Sequence, residues 1–264
     1  MQIDGSRVLL TGATGGLGRA IAAALHQRGA HLLLSGRSGQ ALGELAAELG
    51  DAEPLAADLA KRADVEALPG RAGQVDILIH NAGLPGSGRL ESYTPDEIDR
   101  VIDVNLRAGM QLTRTLMPAM VERGRGHLVY VSSMAGKVAP PRASIYSATK
   151  YGLRGFALAL GDDLEGTGVG VGVVFPGPIA EAGMHADADG PIPKGVPRRY
   201  PSDVAAAVVK VIETGRPEID VADPIQKTGA LMAHLAPRLL RRGKRLARVD
   251  QIAEKTAEGQ RAKR

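Results

Sequence analysis

Tyr146 and Lys150 stand four positions apart in the stretch Tyr146-Ser147-Ala148-Thr149-Lys150. On a helix that spacing stacks both side chains on one face, one turn apart. An ammonium beside a phenol favours the phenolate. It therefore draws the phenol's pKa down from about 10, at roughly 1.4 kcal/mol per pH unit, toward a range where protons are traded near neutrality. Ser133 precedes Tyr146 by thirteen positions, just after the apolar run His127-Leu128-Val129-Tyr130-Val131, which reads as a buried strand. A hydroxyl at a strand end and a phenol on the next helix can meet over one substrate oxygen. The spacing alone is common, since a surface tyrosine beside a solvated lysine produces it too. The residues upstream decide between these readings.

Upstream, the apolar strand Val8-Leu9-Leu10 runs into Thr11-Gly12-Ala13-Thr14-Gly15-Gly16-Leu17-Gly18. Helical periodicity follows (Leu17, Ala20, Ile21, Ala24, Leu25), closed by Gly29, and a second apolar run begins at His31. Strand, glycine loop, helix and strand form the context in which such a loop binds a dinucleotide. Glycine lets the backbone approach a pyrophosphate, and the N–H groups at the helix start bind anions. The spacing is Gly-x-x-x-Gly-x-Gly; a tight turn without a ligand is the competing reading. At the end of the second strand, where an NAD site usually carries a carboxylate for the ribose 2′-hydroxyl, the text is Ser35-Gly36-Arg37-Ser38. A guanidinium suits a 2′-phosphate, so NADP(H) is favoured over NAD(H), unless Arg37 is a solvated turn residue.

Further strands are expected at 54–57, 75–79, 127–131, 169–175 and 218–221, and helices at 40–49, 62–68, 95–108, 109–123, 143–160 and 202–213, the last capped by Ser202. Continuous apolar strands alternating with helices predict an α/β fold: a single-domain, doubly wound, Rossmann-like parallel sheet of about seven strands with helices on both faces. Ligands of such sheets sit at the carboxyl ends of the strands. Thr11, Arg37, Asp58, Asn81, Ser133 and Pro176 all fall there. The Gly- and Pro-rich stretch 179–200 follows such an end and reads as a lid over the substrate.

The 264 residues suit one α/β domain, taken here as 1–223, with 224–264 as a basic helical extension. The net charge of +4 is uneven: from Lys227 onward there are eleven basic and three acidic residues (+8), leaving 22 basic and 26 acidic before it (−4). Basicity confined to a tail does not suggest a nucleic-acid partner. There is no cysteine, hence neither a disulfide framework nor a thiolate metal site, and no metal ligand set is expected. No apolar run approaches the roughly 18 residues of a membrane span, and the early first strand leaves no signal peptide, so a cytoplasmic protein is expected. The stripe Leu231, Met232, Leu235 and Ala236, with basic neighbours beyond Pro237, suits the substrate mouth, a neighbouring subunit or an anionic membrane surface; a solvated helix with a frayed end is equally compatible.

Taken together, Thr11-Gly12 with Gly16-Leu17-Gly18, Asp58, Asn81-Ala82-Gly83, Asn105, Ser133, Tyr146 with Lys150, and Pro176-Gly177 resemble the short-chain dehydrogenase/reductase family in order and interval, over Val8 to about Asp223. The resemblance implies hydride transfer between a nicotinamide cofactor and a carbonyl or secondary alcohol, a small-molecule substrate, and a homodimer or homotetramer paired through helices 109–123 and 143–160. It implies that Tyr146 is the general acid or base, and that Lys150 lowers its pKa and binds the nicotinamide ribose. Ser133 would polarise the substrate oxygen, and Asn105 would hold a water in a relay to Lys150. Gly12, Thr14, Gly15, Gly16, Leu17 and Gly18 would cradle the cofactor. Asp58 would meet the adenine by its side chain and Leu59 by its backbone N–H. Asn81, Ala82 and Gly83 would brace the sheet beside the adenine ribose, while Pro176, Gly177 and Ile179 would line the nicotinamide.

Two positions depart from the pattern. Glu181 stands where the family often has a threonine, and Gly15 where NADP-preferring members often carry a basic residue. Among possible substrate contacts, Met184, His185, Arg89 and Arg142 have solvated readings at least as good, and His80 reads as structural. A non-catalytic nucleotide-binding regulator or scaffold on the same fold is the alternative. It has no need of an intact Ser133-Tyr146-Lys150 set.

Overall fold

The computed structural model describes residues 1–181, 198–235 and 259–260 of the chain. Seven strands form one sheet: β1 (Arg7–Thr11), β2 (His31–Gly36), β3 (Ala52–Ala56), β4 (Ile77–His80), β5 (Gly126–Val131), β6 (Val169–Pro176) and β7 (Glu218–Val221). Their order is β3-β2-β1-β4-β5-β6-β7, with every pair parallel. The chain switches direction between β1 and β4, which opens a crevice at their carboxyl ends.

The strands are apolar throughout because both faces are covered. Val8 and Leu10 point to one face, where they join Ile21 and Leu25 of α1 (Gly16–His26), Leu42 of α2 (Gly39–Leu49) and Val208 of α7 (Pro201–Thr214). Leu9 points to the other face. It meets Leu68 of α3 (Arg62–Ala72), Leu112 of α5 (Ala108–Glu122) and Leu153 of α6 (Ser144–Asp163). Alternate residues of one strand thus feed two cores.

Three local expectations change. The helix expected to stop at Leu68 continues through Pro69 to Ala72, since Leu68 and Ala72 both bury against the second core. Ser202 does not cap α7. Pro201 takes the first helical position, and Asp203 reaches back to accept the N–H of Tyr200 at 2.9 Å. The two helices expected at 95–123 form one rod: α4 (Pro95–Ile102), a π-turn at Asp103–Arg107, and α5. A π-turn leaves backbone groups without their usual helical partners, and Asn105 lies inside it.

The amino ends of the strands carry the structural polar contacts. Asp76 accepts the N–H of Arg7 at 3.0 Å and faces Arg123 at 3.7 Å, and the Arg7 guanidinium reaches the carbonyls of Ala72 and Gln74. Buried His127 lies on β5 nearby, and the terminal ammonium of Met1 donates to Ile212 O at 2.9 Å, at the last turn of α7. Toward the carboxyl ends, Lys137 pairs with Glu218 at 2.9 Å and Asp220 at 2.6 Å across the Phe175 ring, which ties edge strand β7 to the turn after β5.

The ends of the stretch expected as a lid meet in a bridge between Ile179 and Arg199; Met184 and His185 lie outside the described residues. The extension begins as α8 (Pro224–Leu235), capped by Asp223, which accepts the N–H of Gln226 at 3.0 Å. On α8 Ala230 is buried and Leu231 is 60 % exposed, so Leu231 faces away from the domain; the basic residues past Pro237 lie outside the described residues. Among the described residues no helix is long and apolar enough to cross a membrane.

Candidate active site

The crevice is built around the turn that follows β1. Gly12 has φ +65°, and a Cβ there would lie 2.8 Å from the Ala82 Cα, so only glycine fits both the backbone angle and the neighbour. A Cβ on Gly18 would collide with the Gly12 carbonyl, because α1 starts directly against the turn. Asn81 closes the arrangement from β4. Its Nδ2 donates to the carbonyls of Thr11 at 3.0 Å and Gly12 at 3.1 Å. Thr11 Oγ1 in turn accepts the N–H groups of Asn81 at 3.2 Å and Ala82 at 3.1 Å. The brace expected of Asn81-Ala82-Gly83 is therefore a hydrogen-bonded joint between β1 and β4.

This turn fits a dinucleotide. Gly15 is exposed, and α1 opens at Gly16 without a side-chain cap or an acidic residue in its first turn, so its N–H end is free to meet a phosphate. Thr14 and Leu17 line the same turn, with the Thr14 hydroxyl directed at Gly36 at the end of β2. Arg37 follows, exposed at the rim, and it forms no ion pair among the described residues. Beyond β3, Asp58 is half-buried and its Oδ1 accepts the Ala60 N–H at 3.1 Å, while Asp64 accepts the Asp58 N–H at 2.8 Å. Leu59 is buried beside it.

The proton-handling residues gather at the carboxyl ends of β5 and β6. Ser133 caps a short 3-10 turn (Met134–Gly136) by accepting the Ala135 N–H at 3.1 Å; its hydroxyl also lies 3.5 Å from the Pro176 carbonyl, on the side of the Tyr146 phenol that it influences. Lys150 is 2 % exposed and donates to Val131 O at 3.0 Å, with its Nζ 5.6 Å from the centre of the Tyr146 ring. Ser132 fixes the Lys150 turn by donating to its carbonyl at 3.1 Å. Asn105 is fully buried. Its side chain is spent on the Leu84 backbone, accepting the N–H at 2.6 Å and donating to the carbonyl at 2.9 Å, and it donates to Thr149 Oγ1 at 3.3 Å. Thr149 donates to the Tyr146 carbonyl at 2.8 Å, which joins Asn105 to the Tyr146 turn. Gly177 and buried Ile179 follow β6, and the Gln226 amide of α8 packs against Gly177.

The electrostatics correct one expectation. Burial pushes the Tyr146 phenol above its ordinary value, and the Ser133 hydroxyl opposes this without cancelling it. The ammonium expected to lower the phenol is committed to Val131 O, and burial brings Lys150 itself down to about 8. Depth outweighs helical adjacency here, and four-residue spacing carries no information about depth.

Thr149, Ser132 and Gln226 were not singled out from the sequence. Short polar residues inside a helix or at a strand end carry no motif, and Gln226 arrives from an element outside the glycine-loop pattern. Among the described residues no cluster of three metal-ligating side chains occurs.

The family model described as short chain dehydrogenase matches residues 6–190. The ketoacyl reductase HetN of a Nostoc species is 38 % identical over 227 residues, covering 83 % of this chain and 79 % of its own. A short-chain dehydrogenase from Sphingobium yanoikuyae, solved in complex with NADPH, superposes with a TM-score of 0.73 at 29 % identity, covering 81 % of this chain and 87 % of its own. A 3-oxoacyl-[acyl-carrier protein] reductase from Brucella melitensis with bound NAD reaches 0.74 at 31 % identity, covering 84 % and 91 %.

Proposed function

The chain belongs to the short-chain dehydrogenase family, oxidoreductases that work between carbonyl and alcohol with a nicotinamide cofactor, and from that premise we propose that it reduces a carbonyl substrate with NADPH, Tyr146 delivering the proton. One observation carries this reading: Ser133, Tyr146 and Lys150 converge at the carboxyl ends of β5 and β6, beside a turn shaped for a pyrophosphate. Ketoacyl reduction, the activity in the name of the Nostoc relative, supports the reductive direction and an acyl chain bearing a ketone.

NADPH and NAD both occur among the structural neighbours, so the choice falls to this chain's own residues. Arg37, exposed at the end of β2 without a carboxylate beside it, favours a 2′-phosphate. Gly12 to Gly18 would hold the pyrophosphate, Asp58 and Leu59 the adenine side, and Pro176, Gly177 and Ile179 the nicotinamide side. Bound there, the nicotinamide would supply a hydride to the carbonyl carbon.

The protein supplies position and one proton. Ser133 donates to the substrate oxygen. Tyr146 gives its hydroxyl proton to that oxygen as negative charge develops, and its O–H bond breaks as the alcohol O–H forms. A raised phenol pKa suits this order, since the proton stays on Tyr146 until the alkoxide, a much stronger base, appears. The Lys150 charge then stabilises the tyrosinate, and the π-turn at Asn105 lies on the path by which the proton is restored. A nucleotide-binding scaffold would need none of these groups.

Tyr146→Phe tests the reading. Turnover of ketone substrates with NADPH should fall about a thousandfold, within the range for a lost general acid, while NADPH titrated by fluorescence binds within about threefold of the native value. Native turnover in the variant would remove the assignment; loss of binding as well would make the phenol structural. Tyr151 and Leu158, both exposed on α6, support pairing of two copies through that helix, which light scattering of Leu158→Asp would test by a fall in mass. An unchanged mass would refute that pairing.

A further inference from the structure

His80 is a fully buried imidazole that the proposed reaction does not use. It ends β4, one position before Asn81, and its ring lies against α5 at a place where only glycine fits, since a Cβ on Gly109 would stand 2.7 Å from Cδ2. Its Nδ1 is 3.4 Å from Thr11 Oγ1. That hydroxyl already accepts two backbone N–H groups, so its own proton is free to point at Nδ1 or at the Ile79 carbonyl 3.5 Å away. With Nδ1 as acceptor, the ring proton sits on Nε2. Nε2 is buried, closes no hydrogen bond of ordinary geometry, and lies only 3.0 Å from where a Cβ on Gly109 would stand, in the first turn of α5 directly after the π-turn. Lys150 is the charged group that the ring feels.

We propose that His80 is a positioning residue: a neutral imidazole, held as the Nε2–H form by Thr11, that orients the π-turn through which the Lys150 proton is restored. This rests on the reaction proposed above. Its neutrality follows from its neighbours. A second cation beside Lys150 in a buried site is unfavourable, and burial with the Lys150 charge brings the imidazole down to about 4, outside the working range. One ring therefore couples the joint that shapes the cofactor turn to the segment that handles the proton.

Two measurements on the NADPH complex test this. In nitrogen-15 histidine spectra of the native protein, one of the six histidines should stay neutral as the Nε2–H tautomer from pH 5.5 to 9, identified by its loss in His80→Gln. His80→Asn, which keeps polar atoms near Nδ1 only, should lower kcat about tenfold and move the pH–rate profile by about half a pH unit or more, with NADPH affinity held within about threefold. His80→Gln, which places an N–H near Nε2, should recover most of that loss.

An Nδ1–H tautomer in the native protein overturns the proposal. So does a His80→Asn enzyme with the native profile and only a lowered Tm. If His80→Asn does not fold, the native spectra and the His80→Gln profile decide. Turnover surviving in Tyr146→Phe would sink the proposed reaction instead, and leave the tautomer result standing.

Discussion

Replacing Lys150 by methionine should make the apoprotein more stable at neutral pH and the enzyme slower. The folded-state pKa of Lys150 is about 8 against an ordinary 10.5, so folding holds its proton less tightly than the unfolded chain does. Below pH 8 both states carry the charge and folding bears the whole cost, about 3 kcal/mol for a lowering of some 2.5 pH units. Between 8 and 10.5 the unfolded chain binds more protons, stability rises with pH, and the cost fades. Methionine removes this burden but leaves the Val131 carbonyl without its ammonium, a loss of about 1–2 kcal/mol. The net effect at pH 7 is a gain of about 1–2 kcal/mol, reversed above pH 10.5.

Urea unfolding of both proteins at pH 7, 9 and 10.5 should therefore give stability curves that cross. The kinetic effect runs the other way. With the ammonium 5.6 Å from the centre of the Tyr146 ring gone, the tyrosinate left by proton delivery loses its cationic neighbour, so kcat should fall about tenfold, for a loss of about 1.4 kcal/mol. A variant less stable at pH 7, or a curve parallel to the native one, would refute the reasoning.

Arg37→Ala should weaken NADPH about ten- to a hundredfold, for a lost charge-assisted contact of about 1.5–3 kcal/mol, and barely alter NADH; equal weakening in paired titrations would remove the NADP preference. Gly18→Ala drives a methyl into the Gly12 carbonyl, so it should cost about 1–3 kcal/mol of stability and at least tenfold in NADPH affinity, and a native-like variant would show that the turn yields. His127 is buried with its imidazole brought down to about 4, so its contribution is intact above pH 6.5 and is lost as the pH falls toward 4. Native stability should drop by about 3 kcal/mol over that window from this group, and His127→Leu should flatten the drop in acid titrations; an unchanged slope would show that other groups govern acid unfolding.

Much of the site was legible from residue type and spacing. The glycine turn is dictated by what a Cβ would strike at Gly12 and Gly18, and such steric demands leave a direct mark on the sequence. The strands announced themselves because a parallel sheet buries both faces, and Ser133 and Asn81 were placed by the strand ends they follow. The illegible part depends on depth and on encounters between distant segments. The direction of the Tyr146 shift follows from burial, which a local spacing does not encode. The π-turn at Asn105 arises where the side chain of Asn105 grips Leu84, 21 positions away, and no helical periodicity announces it. His80 gains its role from Thr11, Gly109 and Lys150 together, three residues brought to one point only by the finished sheet.

The structural contacts at the amino rim, where Asp76, Arg7, Arg123 and His127 cluster, sit a full strand length from the chemistry. Variation there is free to adjust thermal tolerance without disturbing turnover, and the opposite rim can diversify toward new substrates while the scaffold holds. Selection thus meets two nearly separate dials on one molecule, which lets a lineage of such chains change diet without first learning to fold again.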